Sequence, residues 1–80
     1  MIKIATPSPF LAGPFEQADP DAYEVVDLFW SELGDGEFSL RAALQHLQHL
    51  LEGRPEQRCL AAMRRLFAHE ILAEIPETTH

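Results

Sequence analysis

Glycine and proline punctuate this chain so closely that only short helices fit between them. Gly34, Asp35 and Gly36 form one break and Gly53, Arg54 and Pro55 another, with Asp19 and Pro20 ahead of the first stretch and Pro76 behind the last. Between the breaks, large apolar residues recur at spacings of three and four, the period of a helix with one buried side. No stretch sustains the alternation of a strand. The expected architecture is therefore all-α: a three-helix small domain over residues 19–76, with an extended, proline-containing N-terminal arm over 1–18 and a C-terminal tail over 77–80.

The first helix starts at Asp19, whose carboxylate suits an N-cap, with Pro20 in the first turn and Asp21 and Glu24 at the positive end of the dipole; Gly34 closes it. Ala22, Val25, Val26, Phe29, Trp30 and Leu33 fall on one side, and Glu24, Asp27 and Ser31 on the other. Ser39 caps the second helix, with Phe38 just before it placed to cover the first turn. Its buried stripe is Leu40, Ala43, Leu44, Leu47, Leu50 and Leu51, and Gly53 ends it. The third helix starts at Arg54 and Pro55, favoured by Glu56, and runs to the limit that Pro76 sets. The three come out at about 14, 13 and 20 residues. In the third, the apolar positions, from Cys59 through Leu60, Met63, Leu66 and Phe67 to Ile71 and Ile75, cover about half the circumference, more than one neighbour requires. This width predicts contact with both its own core and a second chain, hence a helical homodimer with Leu60, Met63, Phe67 and Ile71 at the dimer interface.

Pro7, Pro9, Gly13 and Pro14 exclude a continuous helix in the first fifteen residues. Ile2, Ile4, Phe10, Leu11 and Phe15 give the arm apolar side chains to dock on the body or on a second subunit, the alternative being a frayed terminus. The same prolines interrupt any signal-peptide core, and no run reaches the roughly 18 apolar residues of a membrane span. A cytoplasmic protein with no membrane contact is expected.

A chain of 80 residues buries a small core, and its single Cys59 excludes an intramolecular disulfide framework. Stability beyond that core has to come from association. With 46% apolar residues, disorder throughout is not expected. The net charge of −7 is unevenly placed, because eight acidic residues and no basic one lie between Glu16 and Glu37. That excess repels phosphate, so DNA is not an expected partner.

Chemistry-bearing groups are sparse. His46 and His49 are three apart, but two ligands do not make a zinc site, and Cys59, His69 and His80 add no compact spacing. Cys59 reads as a buried thiol, without the base that would activate a nucleophile. The Gly34 to Gly36 turn lacks the lysine and strand of a phosphate loop. No catalytic residue, metal or cofactor is expected, and the protein is read as not an enzyme. Two charged sets are candidates for partner binding: Asp21, Glu24, Asp27 and Glu32 on the acidic first helix, and Arg58, Arg65 and His69 on a polar stripe of the third, which is otherwise a solvated face. Trp30 is an interface anchor if exposed and a core residue if not.

The order of features resembles a known family. An acidic helix ends at Glu32, Leu33, Gly34, Asp35 and Gly36; Phe38, Ser39, Leu40 and Arg41 follow; then come Leu44, Leu47, Leu50, Leu51 and Glu52, and finally Leu60, Met63, Leu66 and Phe67. From Tyr23 to Ile71 this is similar to the small two-component connector proteins of the AriR/YmgB type, regulators of biofilm and acid resistance. The resemblance implies a helical homodimer, without catalytic residues, that binds a response regulator or sensor kinase and alters biofilm or stress gene expression. The residues alone fit that regulatory adaptor and also an acidic inhibitor or immunity protein from a phage or mobile element, or a secretion chaperone, that blocks a partner's basic surface.

Overall fold

A computed structural model describes residues 1–76; the expected tail over 77–80 lies outside the described residues. Helices dominate: α1 (Pro14–Ala18), α2 (Pro20–Leu33), α3 (Leu40–Leu51) and α4 (Glu56–Ala68), preceded by a 3-10 turn at Ser8–Phe10. The two ends of the described chain form a small antiparallel sheet, β1 (Ile2–Ile4) with β2 (Leu72–Glu74). The helical small domain is as expected; the all-α, three-helix description is corrected by α1 and the sheet. No helix among the described residues is long and apolar enough to cross a membrane.

The helix starts follow from their caps. Asp19 Oδ1 accepts from the Ala22 amide at 3.2 Å and Ser39 Oγ from the Ala42 amide at 3.1 Å, each satisfying a donor that the first turn leaves open. Gly34 stops α2 at φ 65°, a left-handed conformation that glycine adopts without a Cβ penalty. The central α2 packs against both α3 and α4, burying Ala22, Val25, Val26 and Phe29.

The expected third helix is cut short. It ends at Ala68, several residues before Pro76, in a two-bond cap: the Glu70 amide donates to the Phe67 carbonyl at 3.0 Å and the Ile71 amide to the Leu66 carbonyl at 2.9 Å. This is a Schellman arrangement, and Glu70 occupies its left-handed position with φ 61° where glycine is usual. Ile71, placed on the helix by periodicity, instead lies beyond it, and the chain turns into β2.

The proline-containing arm docks on the body. Ile2 and Ile4 are buried and Lys3 between them is exposed, so β1 gives one face to the core. The Ile2 amide and carbonyl pair with Phe38, and the Ala5 amide donates to the Ile71 carbonyl at 2.8 Å. Phe38 therefore does more than cover a helix turn: its ring lies 5.4 Å from that of Phe29, inside the core.

Candidate functional site

The helices α3 and α4 both lean on α2 but touch each other little, so an apolar groove opens between them. Leu40, Leu44, Leu60, Met63 and Phe67 supply its apolar walls, Glu56 and Arg64 its charged ones, and its volume is about 400 Å³. At the end near the sheet it runs on towards Met1, Ile2 and Glu74, because Leu40 and Phe67 line the adjoining depression too. At the other end Leu44 and Leu60 are shared with a smaller cleft beside Leu47, Leu51 and Cys59.

Two expectations change here. Leu40 and Leu44, placed by spacing on a buried stripe, are 56% and 39% exposed. Conversely, Met63 and Ile71, expected at a dimer interface, are buried among this chain's own core residues, although Met63 still forms part of the groove floor. Leu60 and Phe67 are half-buried and remain reachable along the groove. Reading α3 as one stripe missed Leu40 and Leu44 because the stripe is wider than the cover that α2 provides.

The two charged sets singled out by sequence meet at one pair, Asp21 with Arg58, and their other ion pairs are to residues outside the sets. Asp19 accepts two hydrogen bonds from Arg65, from Nε at 2.7 Å and Nη2 at 2.9 Å. Asp21 pairs with Arg58 and with Arg54, the latter at 3.2 Å, and Arg54 also pairs with Glu24. These bonds tie the start of α2 to α4 and to the α3–α4 turn. The Arg65 bonds hold the Asp19 carboxyl below the usual carboxylate range against the opposing effect of desolvation, and the Ala22 amide adds to the lowering. Its partner Arg65 is raised, chiefly by the same bonds, and Arg58 is raised by its bond to Asp21.

The other candidates have separate surroundings. Asp27 Oδ1 accepts from Ser8 Oγ at 2.9 Å, fastening the arm to α2. His69 meets the edge of Phe15 with centroids 6.3 Å apart. Glu32 is exposed at the end of α2, and Trp30 is half-buried against the core. Arg58, Arg65, Asp21 and Glu24 are thus engaged within the chain, while Glu56, Arg64 and Arg41 have no ion-pair partner among the described residues.

His46 and His49 lie with ring centroids 6.4 Å apart, and no three of His, Cys, Asp and Glu among the described residues are grouped to hold a metal ion. Cys59 is a buried free thiol. No known protein family, curated protein or solved structure matches the chain.

Proposed function

We propose that the protein is a small regulatory adaptor that acts by associating with other protein surfaces and carries out no reaction of its own. The observation that supports this reading is the α3–α4 groove: a chain with so small a core leaves Leu40 and Leu44 exposed beside Leu60 and Phe67. A contiguous apolar groove rimmed by charge marks an interaction site more often than scattered surface leucines do. The resemblance to two-component connectors names a response regulator or sensor kinase as the partner class, and biofilm or stress genes as the output.

The rival reading, an acidic inhibitor, immunity protein or chaperone, draws less support, because Asp21 and Glu24 are neutralised by Arg58 and Arg54 instead of facing outward as free charges. The test is a pull-down from the source cell with tagged native protein and with Leu44→Lys, a change at an exposed position that leaves the core intact. A response regulator or kinase retained by the native chain and lost with the variant supports the adaptor. Equal retention by both moves the site off the groove, and recovery of a nuclease or secretion component promotes the rival.

A further inference from the structure

We propose that the α3–α4 groove is a receptor for one amphipathic helix of a different protein, which lies against α3 and α4 on the side away from α2 and runs antiparallel to α4. The proposal rests on the adaptor reading, which supplies the groove, and it names the shape, direction and charge of what enters.

The shape follows from the apolar stripes. Ala43 and Leu47 on α3, and Cys59, Ala62 and Leu66 on α4, are buried in one cluster with Val25, Val26 and Phe29 of α2. Leu40, Leu44 and Leu51 lie further round α3, and Leu60 and Phe67 further round α4, and these line the groove and its adjoining cleft. Each helix thus carries two adjacent apolar stripes, of which α2 covers one. A helix laid along the second stripes completes a four-helix arrangement. The walls α3 and α4 run antiparallel, since Leu40 shares one depression with Phe67 and Leu51 shares another with Glu56. At about 1.5 Å per residue, the α3 wall from Leu40 to Leu51 is roughly 16 Å long, or three helical turns. An entering helix of that length presents apolar side chains at spacings of three and four. An extended peptide finds no such match, because the backbone groups of both walls are spent within their own helices.

Direction and charge follow from the α4 wall. Glu56 stands at the end near the α3–α4 turn, and Arg64 lies two turns further on, roughly 12 Å away. They are too far apart to pair with each other, and neither has an ion-pair partner among the described residues. The contrast with Arg54, Arg58 and Arg65 is informative, since those three all hold carboxylates at the start of α2. The entering helix therefore sets a base against Glu56 and an acid against Arg64. An acid near its N-terminus and a base near its C-terminus also suit the helix's own dipole, which puts its N-terminus at the Arg64 end. The reverse direction would oppose like charges or oppose the dipole. The net charge of −7 works against a second copy of this chain and favours a helix whose outer face is basic.

The test uses the full chain and two capped synthetic peptides. Both have leucines spaced four, three and four apart and a basic outer face. The matched peptide carries a glutamate beside the first leucine and a lysine two turns later, and the swapped peptide exchanges the two. Binding is read by fluorescence anisotropy and helix formation by circular dichroism, for the native chain, for Leu44→Lys and for the double variant Glu56→Lys with Arg64→Glu. The matched peptide should bind the native chain and gain helix as it does, since so short a helix is marginal when free. Leu44→Lys should stay folded and weaken that binding at least tenfold. The ratio of matched to swapped affinity should fall at least tenfold in the double variant. Comparing this ratio between two chains cancels whatever each peptide gains as a free helix, so the fall has to come from Glu56 and Arg64. The proposal is overturned if the native chain ignores millimolar peptide, if binding brings no gain of helix, or if the ratio is the same in both chains. A native dimer that Leu44→Lys dissociates and the matched peptide does not gives the groove to a second copy, and overturns it too. If the pull-down loses its partner with Leu44→Lys while the groove refuses both peptides, the helix fails and the adaptor stands. If the groove takes the matched peptide while native and Leu44→Lys chains retain the same cellular proteins, the adaptor's site fails and the helix receptor stands.

Discussion

At Asp19 a single carboxylate caps α2 through the Ala22 amide and joins α2 to α4 through two bonds from Arg65. The cap was legible because Asp followed by Pro and an acidic turn has a local cause. The bond to Arg65 was not, since it joins residues 46 positions apart and depends on how α4 lies across α2. Substitution separates the two roles. Asp19→Asn keeps an oxygen for the Ala22 amide but removes the charge, and should cost about 0.5–1 kcal/mol at neutral pH. Asp19→Ala loses the cap as well and should cost about 2 kcal/mol. Because the folded-state pKa of Asp19 is lowered, its charge stabilises the fold above the unfolded-state value and that contribution fades as pH falls through the folded value. Urea titrations should therefore show native and Asp19→Asn differing at pH 7, with the difference shrinking as the pH falls below the ordinary carboxylate range. An undiminished difference in acid would mean that the asparagine acts through packing and not through charge.

The C-terminus of α4 shows why one element was read too long. Periodicity continues through Ile71 and Ile75, and neither glycine nor asparagine marks a stop before Pro76. The stop is made by backbone geometry: Glu70 takes φ 61°, the Glu70 and Ile71 amides donate to the Phe67 and Leu66 carbonyls, and Ile71 turns back into the core. A residue with a Cβ held there carries a penalty of roughly 1 kcal/mol that glycine avoids. Glu70→Gly should then raise stability by about 0.5–1 kcal/mol, read as a shift of the urea midpoint at unchanged slope, despite the added freedom of the unfolded chain. A loss of stability would assign Glu70 a side-chain role that outweighs its backbone strain. The same limit of local reading explains the groove. Spacing finds the apolar stripes of α3 and α4, so Leu60 and Phe67 stood out, but which part of each stripe α2 covers depends on the angle between helices, and that leaves Leu40 and Leu44 in solvent.

On the scale of the whole molecule, the two ends of the described chain close the core together. Ile4 on β1 pairs with Leu72 on β2, both share one core cluster with Ile2, and the bridge from Ile2 to Phe38 fastens β1 to the junction between α2 and α3. Three-residue strands are too short to register as alternation, and their pairing spans nearly the full sequence, so nothing local announced them. The prolines exclude a continuous helix in the first fifteen residues, but they announce neither the 3-10 turn and short α1 that the arm contains nor where the arm goes. Its residues therefore divide by burial rather than by sequence neighbourhood. Ile4 is 3% exposed, and Ile4→Ala should cost about 3 kcal/mol through the cavity it opens between the sheet and α2. Phe10, a larger apolar residue in the same arm, is 80% exposed, and Phe10→Ser should change stability by less than about 0.5 kcal/mol. In a domain of this size the first loss is a large share of the total stability, so the Ile4 variant should melt many degrees lower while the Phe10 variant melts with the native chain. Equal melting of all three would mean that the arm contributes nothing to the core, and that the helices hold together without the sheet.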